Sequence, residues 1–77
     1  MRKVFVQVTA SFTKEGDLVP MAFTWENGSK YGIDKVLDVK KAASLKVGGH
    51  GVRYLCRVRN KEVVLFLEDG KWFLEAK

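Results

Sequence analysis

Apolar side chains recur at every second position along most of this chain, in short runs that stop at Gly, Asn or Asp, and a period of two belongs to extended backbone. A helix would need apolar positions three and four apart. The first run extends from about Lys3 to Thr13, with Val4, Val6, Val8, Ala10 and Phe12 on one side and Phe5, Gln7, Thr9 and Ser11 on the other. Lys14-Glu15-Gly16-Asp17 then reads as a turn, because Gly accepts positive φ and Asp closes turns through its side chain. The second run covers about Val19 to Glu26, with Val19, Met21, Phe23 and Trp25 in phase. Pro20 has no amide hydrogen, so it belongs at the start of that strand or on a sheet edge. The third runs from about Lys30 to Asp38, after the hairpin signal Asn27-Gly28. A two-residue loop would set Trp25 opposite Lys30, whereas the loop Asn27-Gly28-Ser29 sets Trp25 opposite Tyr31 and Phe23 opposite Ile33, collecting the aromatics on one face.

Residues 39 to 51 are the least regular stretch, and two readings compete there. Asp38 can cap a short helix over 39–46 that stops before Gly48, or the segment can be a long loop with a glycine-rich tip. Beyond it the pattern predicts strands near 52–59, 62–68 and 71–76. A turn at Asn60-Lys61 pairs Val58 with Val63, Cys56 with Leu65 and Tyr54 with Leu67. A turn at Asp69-Gly70 pairs Leu67 with Trp72, Leu65 with Leu74 and Glu68 with Lys71. The sequence therefore predicts a single all-β domain: a small six-stranded antiparallel meander curled into a barrel or strongly bent sheet, SH3-like or OB-like in size. Its core is Val4, Val6, Val8, Phe23, Trp25, Tyr31, Tyr54, Leu65, Leu67 and Trp72.

At 77 residues there is no room for a second core. The single cysteine excludes an internal disulfide and fits a reducing compartment. The opening Arg2-Lys3-Val4-Phe5-Val6-Gln7 lacks the apolar core of a signal peptide, and no window approaches the ~18 apolar residues of a membrane span. The expectation is a cytoplasmic protein without a membrane partner.

The net charge of +5 favours a polyanion. Between Asp38 and Glu62 the chain carries Lys40, Lys41, Lys46, Arg53, Arg57, Arg59 and Lys61 and no acid. Alternation places Arg53, Leu55, Arg57 and Arg59 beside Val64, Phe66, Phe73 and Glu75, on the face away from the core. Guanidinium groups bind phosphates and rings stack on bases, so the expected partner is single-stranded DNA or RNA. The candidate contacts are those seven cations with Phe66 and Phe73 as stacking groups. Two other readings use the same residues. Leu55, Val64, Phe66 and Phe73 can be a second buried layer, covered by the first strand or residues 39–47 with arginine stems along its margin. They can equally be a protein-partner or homodimer interface rimmed by arginine.

Gly48-Gly49-His50-Gly51 can hold a phosphate on backbone amides, but neither GxxxxGK[ST] nor GxGxxG is present, and a solvated loop explains it as well. Catalysis finds little footing. Cys56 falls on the core face, where a thiol is inert, and one cysteine with one histidine assembles neither a zinc site nor a dyad. Asp34 and Asp38 stand ~13 Å apart on an extended strand, too far for a carboxylate pair. No catalytic residue, metal or cofactor is expected, and the chain reads as a non-enzymatic binding module.

Pro20-x-x-Phe23-x-Trp25, Tyr31-x-Ile33-x-x-Val36-Leu37 and Trp72-x-Leu74 together resemble the pattern of a family of small bacterial domains of unknown function. Some of its members are similar to proteins encoded near translesion DNA polymerases. The resemblance covers most of the chain and rests on core aromatics, so it implies a fold and a link to DNA but carries over no catalytic residue.

Overall fold

In the computed structural model, which describes residues 2–43 and 50–76, the chain forms eight strands. They are β1 (Arg2–Phe5), β2 (Gln7–Phe12), β3 (Leu18–Thr24), β4 (Lys30–Gly32), β5 (Lys35–Ala43), β6 (His50–Val58), β7 (Lys61–Glu68) and β8 (Lys71–Ala76). All neighbours are antiparallel, in a five-stranded sheet ordered β1-β8-β7-β6-β5 and a three-stranded sheet ordered β2-β3-β4. The all-β expectation holds. The six strands and the barrel do not: there are eight strands in two sheets, with no closed barrel.

The difference arises at two corners, where one predicted strand is divided between sheets. The Val6 N–H donates to the Trp72 carbonyl at 3.1 Å, and Gln7, next along the chain, pairs instead with Thr24. The first strand thus leaves β8 and joins β3. The third strand does the same in reverse. The Ile33 N–H donates to the Met21 carbonyl at 2.8 Å, and the Asp34 N–H to the Arg57 carbonyl at 2.9 Å. At both corners the hydrogen bonds pass from one sheet to the other without an interval, so buried polar backbone is avoided.

Bulges help the strands bend. Met21 is the extra residue where the β2–β3 register shifts, and Leu37 is the extra residue between Val36 and Asp38. Pro20 is neither at the start of its strand nor in an outer one; it is buried in the middle strand, beside the first bulge. It is tolerated because β4 pairs only with Ala22, Phe23 and Thr24, so no ladder partner on that side needs the missing N–H.

Two turns close earlier than the sequence suggests. Gly28, at φ 87°, is the last residue of the loop Glu26-Asn27-Gly28, bounded by Trp25 N–H to Ser29 carbonyl at 2.8 Å. Phe23 therefore faces Tyr31 rather than Ile33. Arg59 and Asn60, at φ 48° and 63°, form the turn between β6 and β7, so Val58 faces Lys61, Cys56 faces Val63 and Tyr54 faces Leu65. Each register differs from expectation by two residues, which leaves the side chains of the paired strands on their predicted faces, Arg59 in the turn excepted. The Asp69-Gly70 turn is as expected, with Leu67 opposite Trp72 and Glu68 opposite Lys71, but the ladder ends at Phe66–Phe73 and the expected Leu65–Leu74 pair is not part of it.

The predicted helix over 39–46 is not formed in its described part, since β5 continues as strand through Ala43; the remainder, with Lys46, Gly48 and Gly49, lies outside the described residues. Lysines 40 and 41 gain a ladder with Arg53 and Val52, which a lone helical turn cannot match. The core lies between the sheets. Phe23, Tyr54, Cys56, Val58, Leu65 and Leu74 are buried at its centre, with Val6, Val8, Trp25, Tyr31, Leu67 and Trp72 packed around them. The Tyr54 hydroxyl donates to the Leu18 carbonyl at 2.9 Å, tying one sheet to the other. Tyr54→Phe keeps the ring and loses that bond, so it is expected to lower the unfolding free energy by about 1 kcal/mol in a urea titration.

A second tie joins β1 to the loop between β3 and β4, where Arg2 Nη2 and Nη1 meet Glu26 Oε1 and Oε2 at 2.9 and 3.2 Å. The hydrogen bond from Arg2 holds the Glu26 carboxyl below its ordinary value. A depressed carboxyl stabilises the fold above its unfolded value and ceases to do so as pH falls through the folded one. Arg2→Ala should move the Glu26 titration midpoint to higher pH, read from its carboxyl carbon shift by NMR.

Candidate functional site

Alternation gives the five-stranded sheet one face toward the core and one away from it. Across the outer face the register aligns a row of side chains: Phe5 on β1, Phe73 on β8, Phe66 on β7, Arg53 on β6 and Lys40 on β5. Phe66 and Phe73 stack with ring centres 5.0 Å apart and planes 9° from parallel. Phe5 approaches Phe73 at 5.7 Å, and Lys3 Nζ lies 4.7 Å from the Phe73 ring centre. Phe73 is thereby left 4 % exposed, whereas Phe5 is 60 % exposed. The two expected stacking rings thus differ in exposure. Phe66 keeps a partly open surface, Phe73 is covered by its neighbours, and the open ring is Phe5, which sequence reasoning had set on the side facing away from its strand's core residues without giving it a role.

The predicted cations divide. Lys40, Arg53 and Arg57 lie on the outer face, beside acids that the one-dimensional run does not contain: Asp38 on β5, and Glu62 directly opposite Arg57. Glu75, one row from Phe73, and Glu68, whose carboxylate is 4.0 Å from Lys3 Nζ, add two more. Lys41 points to the other side of β5, opposite Val52. Arg59 and Lys61 leave the outer face altogether, because the turn falls at Arg59-Asn60 and puts Lys61 in phase with Val63 and Leu65.

These two cations meet the aromatics elsewhere. On the core side, where the sheets part, a cleft of about 370 Å³ is walled by Phe23, Trp25 and Tyr31 from the small sheet and by Val63 and Leu74 from the large one, with Arg59 and Lys61 at its rim. No acid lines it. Phe23 and Tyr31 stack at 5.4 Å, and the Arg59 guanidinium carbon lies 4.9 Å from the Tyr31 ring centre. Trp25 is half-buried. The cleft exists because the β7–β8 ladder is short: it runs from Glu68–Lys71 only to Phe66–Phe73, after which β7 stays with β6 and β8 stays with β1. Val63 and Leu74 border this seam from within, and they also line a groove on the outer face with Val64, Phe66, Arg53 and Glu75.

Arg59 is held in an uncommon way. Its φ of 48° is left-handed, a conformation that costs an ordinary L residue on the order of 1 kcal/mol and that Asn, Asp or Gly usually fill at the first position of such a turn. Its N–H donates to Asp34 Oδ2 at 3.2 Å, and its guanidinium rests on Tyr31. The backbone is thus held by Asp34 and the guanidinium by Tyr31, at the rim of the cleft.

Chemistry beyond binding has few materials. Burial pushes the Cys56 thiol up to about 11, and its Sγ contacts the Tyr54 carbonyl at 3.7 Å. Among the described residues no group of three His, Cys, Asp or Glu side chains could hold a metal ion, and no helix is long and apolar enough to cross a membrane. Arg59→Gly removes both the left-handed strain and the Tyr31 contact, terms of similar size, so its stability is expected to stay within about 0.5 kcal/mol of the parent in thermal unfolding. Comparison with family models, with curated proteins and with solved structures finds no match to this chain.

Proposed function

We propose that this chain is a small non-enzymatic module that binds single-stranded nucleic acid, and that its contact surface is the cleft between Trp25, Tyr31 and the Arg59–Lys61 turn. One unpaired base lies against Trp25 in the apolar mouth, and the flanking phosphates meet the Arg59 guanidinium and the Lys61 ammonium. A cleft of about 370 Å³ falls in the size range of small-ligand pockets and has the volume for one nucleoside. The reading carries with it a cytoplasmic location, where Cys56 remains a thiol.

The observation that supports it is Arg59: an arginine kept at a left-handed turn position, stacked on Tyr31 at the rim of an acid-free aromatic cleft. A residue that breaks the local backbone preference with its charged end held in place is explained by a ligand better than by stability. The outer sheet face gives weaker support, because Phe73 is covered and Asp38, Glu62, Glu68 and Glu75 alternate with its cations.

Fluorescence anisotropy with labelled single-stranded and duplex oligonucleotides tests the reading at two salt concentrations. Single strands should bind more tightly than duplex, with affinity falling as salt rises. Arg59→Ala and Lys61→Ala should each reduce the salt slope by about 0.7. Trp25→Ala, checked for folding by circular dichroism, should weaken binding by roughly 5- to 100-fold, as expected for one lost stacking contact of ~1–3 kcal/mol. Binding that survives all three changes but is lost with Arg53→Ala and Arg57→Ala returns the site to the outer face, and absence of binding at low salt ends the nucleic-acid reading.

A further inference from the structure

Among the described residues, β2 is the outer strand with nothing on it to keep another strand away. We infer that its free edge pairs with the same edge of a second copy, antiparallel about a two-fold axis, so that two three-stranded sheets become one sheet of six. This edge lies across β3 from β4, away from the aromatic cleft, so the inference does not rest on the binding proposal.

Hydrogen bonds at the two ends of the strand fix which main-chain groups point outward. The Thr13 N–H donates to the Asp17 carbonyl at 2.8 Å across the β2–β3 turn, whereas the Val6 N–H donates away from β3, to the Trp72 carbonyl. By the alternation of an antiparallel ladder, Gln7, Thr9 and Ser11 face β3, and Val8, Ala10 and Phe12 turn their N–H and C=O groups outward. Pro20 agrees with this phase. It stands opposite Ala10, where it has no N–H to give and Ala10 needs none from it. The bulge of this ladder falls on β3, at Met21, so β2 itself runs unbroken.

Outer strands are normally guarded against pairing by shortness, charge, proline or a bulge. β1 has four residues, including Arg2 and Lys3, and β4 has three, beginning with Lys30. β5 is longer, but it carries Lys35, Asp38, Lys40 and Lys41 and its own bulge at Leu37. β2 reads Gln7-Val8-Thr9-Ala10-Ser11-Phe12, with no charge, proline, glycine or bulge. What satisfies such an edge is another extended backbone, and a second copy of β2 fits it in side chains and in charge. Turned about an axis near Ala10, each Phe12, 74 % exposed in the single chain, lies against Val8 and Ala10 of the other copy. The Thr9 and Ser11 hydroxyls meet on the opposite face of the junction. From Val4 to Trp25 the only charged residues are Lys14, Glu15 and Asp17, all in the β2–β3 turn, and the two-fold axis sends the two turns to opposite ends. Two chains of net charge +5 thus join along β2 without setting like charges side by side.

Sedimentation equilibrium of the whole chain from about 10 μM to about 1 mM tests this, a range set by an edge contact smaller than the ~800 Å² per partner of a standard interface. The mass should rise from 8.7 kDa toward twice that value. Amide hydrogen exchange on the same samples reads the pairing itself. As concentration rises, exchange at Val8, Ala10 and Phe12 should slow by about 5-fold, while Thr9 and Ser11, already bonded to β3, stay as they were. Phe12→Lys, at an exposed position, should weaken the dimer constant by about 10-fold, as a lysine does on a guarded edge. A constant mass of 8.7 kDa overturns the inference, and so does a Phe12→Lys variant that dimerises as tightly as the parent. A rising mass without slowed exchange at these alternate residues also overturns it, because the contact then lies on another surface. Should Phe12→Lys fail to fold, the exchange pattern of the unaltered chain decides alone.

Discussion

Two short backbone crossings, at Val6 and at Ile33–Asp34, are the constraint on which the rest of this molecule depends. Each lets one continuous strand satisfy its hydrogen bonds first in one sheet and then in the other, so that two small sheets share both of their boundaries. Either sheet alone would leave its apolar face in water. Joined at the corners, they enclose Phe23, Tyr54, Cys56, Val58, Leu65 and Leu74 in a chain of this length. The Tyr54 bond to Leu18 and the Arg2 pair with Glu26 then fasten the sheets away from the corners.

Much of the fold was legible in the sequence because the period of two survives small errors in turn placement. The turns at Glu26-Asn27-Gly28 and Arg59-Asn60 close earlier than their Asn-Gly and Asn-Lys signals suggest, yet both registers move by two residues, so the expected core residues other than Val4 all lie in or against the central cluster, which also takes in Cys56, Val58 and Leu74. What the pattern does not contain is where a strand changes sheet. Val6 continues the alternation without a glycine, proline or polar break, and only the partner strands reveal that the ladder has passed to another neighbour; at Ile33 the flanking Gly32 and Asp34 mark a break, but the in-phase Tyr31, Ile33 and Val36-Leu37 let it read as one strand. Residues 40 and 41 were misleading for a related reason: lysine weakly favours helix over strand, and the ladder with β6 overrides that preference.

The site was less legible, and the cause is again pairing. A stretch without acids in one dimension does not stay so in a sheet, since β6 lies between β5 and β7 and takes Asp38 and Glu62 as neighbours. Conversely, Arg59 and Lys61 belonged to that stretch but were carried to the aromatic side by the position of a single turn. Positive φ at an arginine leaves no mark in composition or periodicity. The one signal available was Asn60, whose readiness to adopt that conformation favours a turn with Asn at its second position as much as at its first.

The short ladder between β7 and β8 has a mechanical consequence. By the alternation that continues from Glu68 and Phe66, the main-chain groups of Glu62 and Val64 face the seam, where no β8 residue pairs with them. The large sheet is therefore two ribbons, β5-β6-β7 and β8-β1, clasped at the Asp69-Gly70 end and free to spread at the other. Spreading breaks no ladder bond and leaves the Phe66–Phe73 stack as the pivot. The amides of Glu62 and Val64, with no ladder partner across the seam, are therefore expected to exchange with solvent hydrogen faster than their neighbours in the middle of the same strand.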